Sequence, residues 1–100
     1  MYFITCYTKC EKDPEGWFEG GGSRTFGYFD NYETCKRALN ENWCDIHECY
    51  YGFAVVEYIE QGIHSIAKEM AWFQWDNERG GFFEIKKPAC TQRICNHALG

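Results

Sequence analysis

The residues best able to do chemistry form two Cys-x-x-x-x-Cys pairs, Cys44/Cys49 with His47 between them and Cys90/Cys95 followed by His97. Thiolate and imidazole are zinc ligands, and two such pairs brought together could close a tetrahedral site. The spacing weighs against it. Structural zinc sites more often place two to four residues between paired cysteines, and on a helix Cys90 and Cys95 would point about 140° apart. Thiols packed as small apolar groups are the expectation, with a zinc-binding module a distant alternative. A nucleophilic cysteine needs a histidine and an orienting carboxylate beside it. Seven cysteines with His47, His64 and His97 make chance pairings easy, and no local signature singles one out. No catalytic residue, metal or cofactor is expected, and the chain does not read as an enzyme.

Two further features could bind rather than react. The run "GGGSR" at 20 to 24 has the glycines of a phosphate cradle, but no GxxxxGK[ST] follows and the next element reads as a strand, not a helix N-terminus. A nucleotide-like ligand could instead stack on Trp17, Trp72, Phe73 or Trp75 with Arg24 near its phosphates, which makes small-ligand binding or sequestration the alternative function. Glu57 sits in an apolar strand, where an unpaired carboxylate is costly. It is expected to pair with Arg24, Lys86 or an external cation, or to lie at the sheet margin in water, the duller and preferred reading.

The elements that must position these residues alternate in period. "YFITCYT" at 2 to 8 is β-branched and aromatic and reads as an interior strand. Residues 9 to 22 combine charge, a proline and glycines, and read as a flexible connection. "SRTFGYF" resumes extended structure. From Asp30 to Trp43 the period becomes 3.6, with Cys35, Ala38, Leu39 and Asn42 on one stripe, and Asp30 with Glu33 predicts a capping box at the entrance. "YYGFAVVEYI" is apolar on both sides and predicts a central strand, with Tyr51, Phe53, Val55 and Ile59 on one face. Residues 69 to 76 and 82 to 86 predict a hairpin around "DNERGG". After Pro88, "PACTQRICNHAL" predicts a short C-terminal helix. The expected fold is α+β, order ββαβββα, a five-stranded mainly antiparallel sheet with one main helix packed on one face.

One hundred residues fit a single domain, 1 to 100, because so short a chain buries only about 60 to 65% of its unfolded surface. A net charge of −5 argues against direct binding to a nucleic-acid backbone, which needs Lys and Arg, and favours basic partners. An odd number of cysteines, and a start without a basic n-region or long apolar core, predict reduced thiols and a cytoplasmic setting. No stretch approaches the ~18 apolar residues of a membrane span.

Aromatic residues make up 19% of the chain, too many for so small an interior. In the hairpin, Met70 and Trp72 point one way and Phe73 and Trp75 the other. Five strands make a sheet about 19 Å across, and two short helices cover one side of it and no more. The other side is left to solvent, to the 9 to 22 connection or to another molecule. A protein partner or a second copy of the chain is therefore expected on an aromatic sheet surface, with Trp72, Trp75 and Tyr58 as anchors and Glu60, Asp76 and Glu78 as rim charges.

The stretches "RTFGYFDNYETCKRAL", "DIHECYYGFAVVEYIEQGIHS" and "WFQWDNERGGFFEIKKP...CNHALG" together resemble small uncharacterised proteins carried by phages and prophages of Firmicutes. The likeness spans Arg24 to Gly100 and is one of overall pattern. It implies an accessory protein of a mobile element in a bacterial cytoplasm, where small acidic proteins often bind or inhibit a host or defence protein.

Overall fold

The computed structural model describes residues 1–8 and 23–87. Within them the chain forms β1 (Tyr2–Thr8), β2 (Ser23–Phe29), α1 (Tyr32–Asn40), a 3-10 turn (Trp43–Asp45), β3 (Tyr51–Tyr58), β4 (Lys68–Asp76) and β5 (Gly81–Ile85). The strands make one sheet in the order β2-β1-β3-β4-β5, every neighbouring pair antiparallel. The expected connection at 9 to 22 and the expected helix after Pro88 lie outside the described residues. Among the described residues no helix is long and apolar enough to cross a membrane.

β1, β3 and β4 are interior and β2 and β5 are the edges, the place of β1 and β3 agreeing with their apolar residues on both sides. One face of the sheet carries Ile4, Cys6, Ala54, Val56, Phe73 and Phe82 and packs beneath Cys35, Ala38 and Leu39 of α1. Phe73 and Phe82 are fully buried, and each contributes about 1.5–3 kcal/mol through the apolar area removed from water.

The helix is shorter than its period suggests, and its cap lies one residue later. Asn31, not Asp30, is the N-cap: its backbone is extended, and its Oδ1 accepts from the Thr34 backbone N–H at 2.8 Å and the Thr34 hydroxyl at 2.7 Å. Asp30 instead accepts from the Asn31 side-chain amide. Glu33 lies in the first turn, where the positive end of the helix dipole favours a carboxylate. The helix stops at Asn40 rather than running on to Trp43, because Asn42 takes left-handed backbone, φ 51°.

Three register shifts alter which side chains share a face. They leave Phe26 without a cross-strand partner on β2, Gly52 on β3 and Met70 on β4. The shift at Gly52 moves Tyr51 into the helix-side core, away from the Phe53 and Val55 face expected for it. The shift at Met70 brings Glu69 opposite Glu57. A β-bulge of this kind adds one residue to one strand and so reverses the alternation beyond it, which strict period-two reading cannot show.

Candidate functional site

Among the described residues, two surfaces bring together side chains able to recognise another molecule: the sheet face turned away from α1, and the segment from Asn42 to Tyr50.

On the sheet face the cross-strand registers set three rows. Thr5, Val55, Trp72 and Ile85 form the middle row, Tyr7, Phe53, Gln74 and Phe83 the row on one side, and Tyr28, Phe3, Glu57 and Glu69 the row on the other. The Tyr7 ring stacks on the Trp72 indole at 5.7 Å between centroids, reaching across β3. Trp72 donates its indole N–H to Glu69 at 3.1 Å, and the Lys87 ammonium meets the other Glu69 oxygen at 2.9 Å. Glu57 is buried, 3% exposed, rather than lying at the margin in water. Burial first, and then the carboxylates of Glu57 and Glu69, push the Tyr7 hydroxyl up to about 12.

Around this polar knot the rings stay within reach of solvent. Phe3, Tyr7, Phe53 and Phe83 are partly buried, and Tyr28 is 61% exposed and packs its ring on Phe3 at 5.5 Å. The Arg79 guanidinium lies over the Phe83 ring at 3.6 Å. Among the described residues no helix lies over this face.

The expected anchors and rim charges do not form one surface. Trp72 lies on this face but is only 4% exposed. Trp75 lies on the opposite, helix-bearing side, against Phe82 and His47. Tyr58 pairs with Tyr2 at 4.9 Å and, with Glu60, Ile66 and Lys68, borders a small depression at one end of β4. Asp76 and Glu78 sit at the other end, a nine-residue strand away, which is roughly 27 Å. Asp76 is occupied with its own turn: it accepts from the backbone N–H groups of Glu78 and Arg79 and from the Arg79 side chain, and these bonds hold its carboxyl below the usual range.

The second surface is the link "NWCDIHEC" and its neighbours. Asn42, Cys44, Asp45, Glu48 and Cys49 all have φ between 50° and 54°, in a region where a side chain costs roughly 1–2 kcal/mol per residue. Several contacts hold the segment there. Asn42 Oδ1 accepts from the His47 backbone N–H at 2.9 Å, and Arg24 pairs with Glu48 at 3.4 Å. The His47 ring lies flat on Trp75, centroids 3.7 Å apart and planes within 7°. Trp43 donates to Glu41 at 3.2 Å and meets Phe29 edge to face. Burial holds the His47 imidazolium down, against a smaller upward pull from Asp45.

Beneath this segment is a cleft of about 150 Å³, walled by Ile4, Phe26, Phe29, Ala38, Trp43 and Ile46. Gly27 faces Ile4 across β1–β2, and a Cβ placed there would meet nothing within 4 Å. Sequence reasoning missed both the cleft and the left-handed run. The available signal was Asn42 and Asp45, residue types that tolerate left-handed backbone.

Cys44 and Cys49 are exposed free thiols, whereas Cys6 and Cys35 are buried in the core. Among the described residues no three His, Cys, Asp or Glu side chains are gathered so as to hold a metal ion; Cys90, Cys95 and His97 lie outside them.

The described fold is thus a small α+β architecture with a five-stranded antiparallel sheet and one helix on one face. Compared with known proteins, the chain shows no significant match to a family model, to a curated protein or to a solved structure.

Proposed function

We propose that this chain is a non-catalytic binding protein whose ring-lined sheet face docks on a protein partner with a basic surface. The observation that carries this reading is the set of Phe3, Tyr7, Tyr28, Phe53 and Phe83 on a sheet face over which no described helix lies. Aromatic side chains at partial exposure bring large contact area at low conformational cost, which is how interface anchors work. The net charge of −5 supports a basic partner, through complementary fields that speed encounter. The resemblance to phage and prophage proteins supports a bacterial host or defence protein, a nuclease among them, as the target of inhibition.

The anchors are reassigned with the geometry. Tyr28, Phe53 and Phe83 replace Trp72, Trp75 and Tyr58, because Trp72 is sealed and the other two face elsewhere. A photo-crosslinking phenylalanine analogue at Tyr28 tests the reading in the native host. Adducts to a basic protein, lost when Phe83→Asp is added, are the expected result. Adducts only to a second copy of the chain would make the face a homodimer interface, and no adduct at all would sink the proposal.

A further inference from the structure

We propose that the cleft under the left-handed segment binds one uncharged, single-ring aromatic molecule. The size is the first reason. A volume of about 150 Å³ matches that of a dry, apolar cavity able to take benzene, and is below the roughly 300 Å³ at which sites for larger ligands, nucleotides included, begin. The lining is the second. Ile4, Phe26, Phe29, Ala38, Trp43 and Ile46 bring no charge to the cleft, so a charged ligand would be desolvated there without compensation.

The third reason is how the cleft is kept open. β2 carries Gly27 where its register partner on β1 is Ile4, and the space that a side chain would take on that face is empty. On the far wall, Trp43 and Ile46 flank Cys44 and Asp45, whose left-handed backbone departs from the helical path. Phe29 and Trp43 meet at 79°, forming a corner in which a third ring can lie edge to one and face to the other. Cys44, whose thiol is exposed, also lines the cleft and adds a polarizable sulfur to the ring walls. This site is on the opposite side of the sheet from the proposed docking face and does not depend on it.

Titration of the full chain with benzene, followed by amide NMR, tests the proposal. Saturable shifts are expected at Gly27, Phe29, Trp43 and Cys44, with benzoate at least tenfold weaker. Gly27→Val fills the cleft and is expected to abolish the benzene shifts while the rest of the spectrum stays folded; should that variant fail to fold, Gly27→Ala is expected to weaken binding at least threefold. Absence of saturable shifts up to the solubility of benzene, shifts centred on the docking face, equal binding of benzoate, or binding undiminished in the folded glycine variant would each overturn it.

Discussion

The Tyr7 ring stacks on the Trp72 indole across the width of β3, so two strands that are not neighbours are joined by their side chains. Trp72 also gives its N–H to Glu69, and is 4% exposed. Trp72→Ala therefore removes a buried ring and takes the indole donor from one Glu69 oxygen, the other still meeting Lys87, and is expected to destabilise the fold by about 3–5 kcal/mol. Trp72→Phe retains the stack and is expected to lose less. Urea unfolding measures both. A Trp72→Ala protein as stable as the parent would show that the face is loosely packed.

Tyr7 in this knot and Tyr32 at the start of α1 together set a high-pH limit. The Tyr7 hydroxyl is pushed from 10.0 up to about 12, and Tyr32, whose hydroxyl donates to Glu84, is raised to about 12 by burial and that carboxylate. The unfolded chain ionises these groups first, so stability is intact below pH 10 and is lost as the pH climbs from 10 towards 12. Absorbance titration is expected to show two late tyrosines that disappear in Tyr7→Phe and Tyr32→Phe. Normal ionisation of both would contradict their placement.

Thiol chemistry separates the described cysteines into two classes. Burial pushes the Cys6 thiol up to about 12 and that of Cys35 up to about 11, and both lie in the core, while Cys44 and Cys49 are exposed. Only thiolate reacts with alkylating reagents. Peptide-resolved mass spectrometry after brief iodoacetamide treatment at pH 8 is expected to find Cys44 and Cys49 modified, and Cys6 and Cys35 modified only in denaturant.

His47 gives the fold a pH dependence on the acid side. Its pKa is lowered from 6.5, chiefly by burial against Trp75, so the unfolded chain takes up the proton more readily than the folded one. Stability is complete above pH 6.5, declines as the pH drops below it, and levels off beneath the folded value. The carboxylates of Asp76 and Glu41 are held low by Arg79 and Arg37, and act further down, as the pH falls below their ordinary values of 3.8 and 4.5. His47→Gln is expected to flatten the upper step alone. Retention of that step in equilibrium unfolding would assign it to another group.

The sheet, its five strands and α1 were legible because apolar period is a strong signal over the five to nine residues of each element. The interior position of β1 and β3 followed from their two-sided apolar pattern, and the helix stripe of Cys35, Ala38 and Leu39 followed from its 3.6 spacing. The positions of Tyr51 and Glu69 did not follow, since one unpaired residue in a strand inverts alternation and leaves no mark in composition. The sealing of Trp72 was hidden for a related reason: its cover includes Tyr7, more than sixty residues earlier in the chain. The sequence showed Trp72 and Trp75 pointing opposite ways, and that alternation alone argues against one surface using both.

Gly81 shows how a packing constraint can pass for turn chemistry. "GG" at 80 and 81 reads as the loose end of a hairpin loop, yet only Gly80 has positive φ, 70°, and its N–H closes the turn on the Asp76 carbonyl. Gly81 is the first residue of β5, and a Cβ there would collide with the backbone carbonyl of Asn40 at the end of α1. Backbone cannot swing aside as a flexible side chain can, so α1 would have to lift from Phe82 and Phe73. Gly81→Ala is therefore expected to cost about 1–3 kcal/mol by overpacking, against a penalty at Gly80 that arises from backbone conformation instead. Urea unfolding of the two alanine variants, with far-ultraviolet circular dichroism to follow the helix, distinguishes them: loss of helix signal belongs to Gly81 alone. A Gly81→Ala protein of parental stability would show that the helix end does not rest on β5.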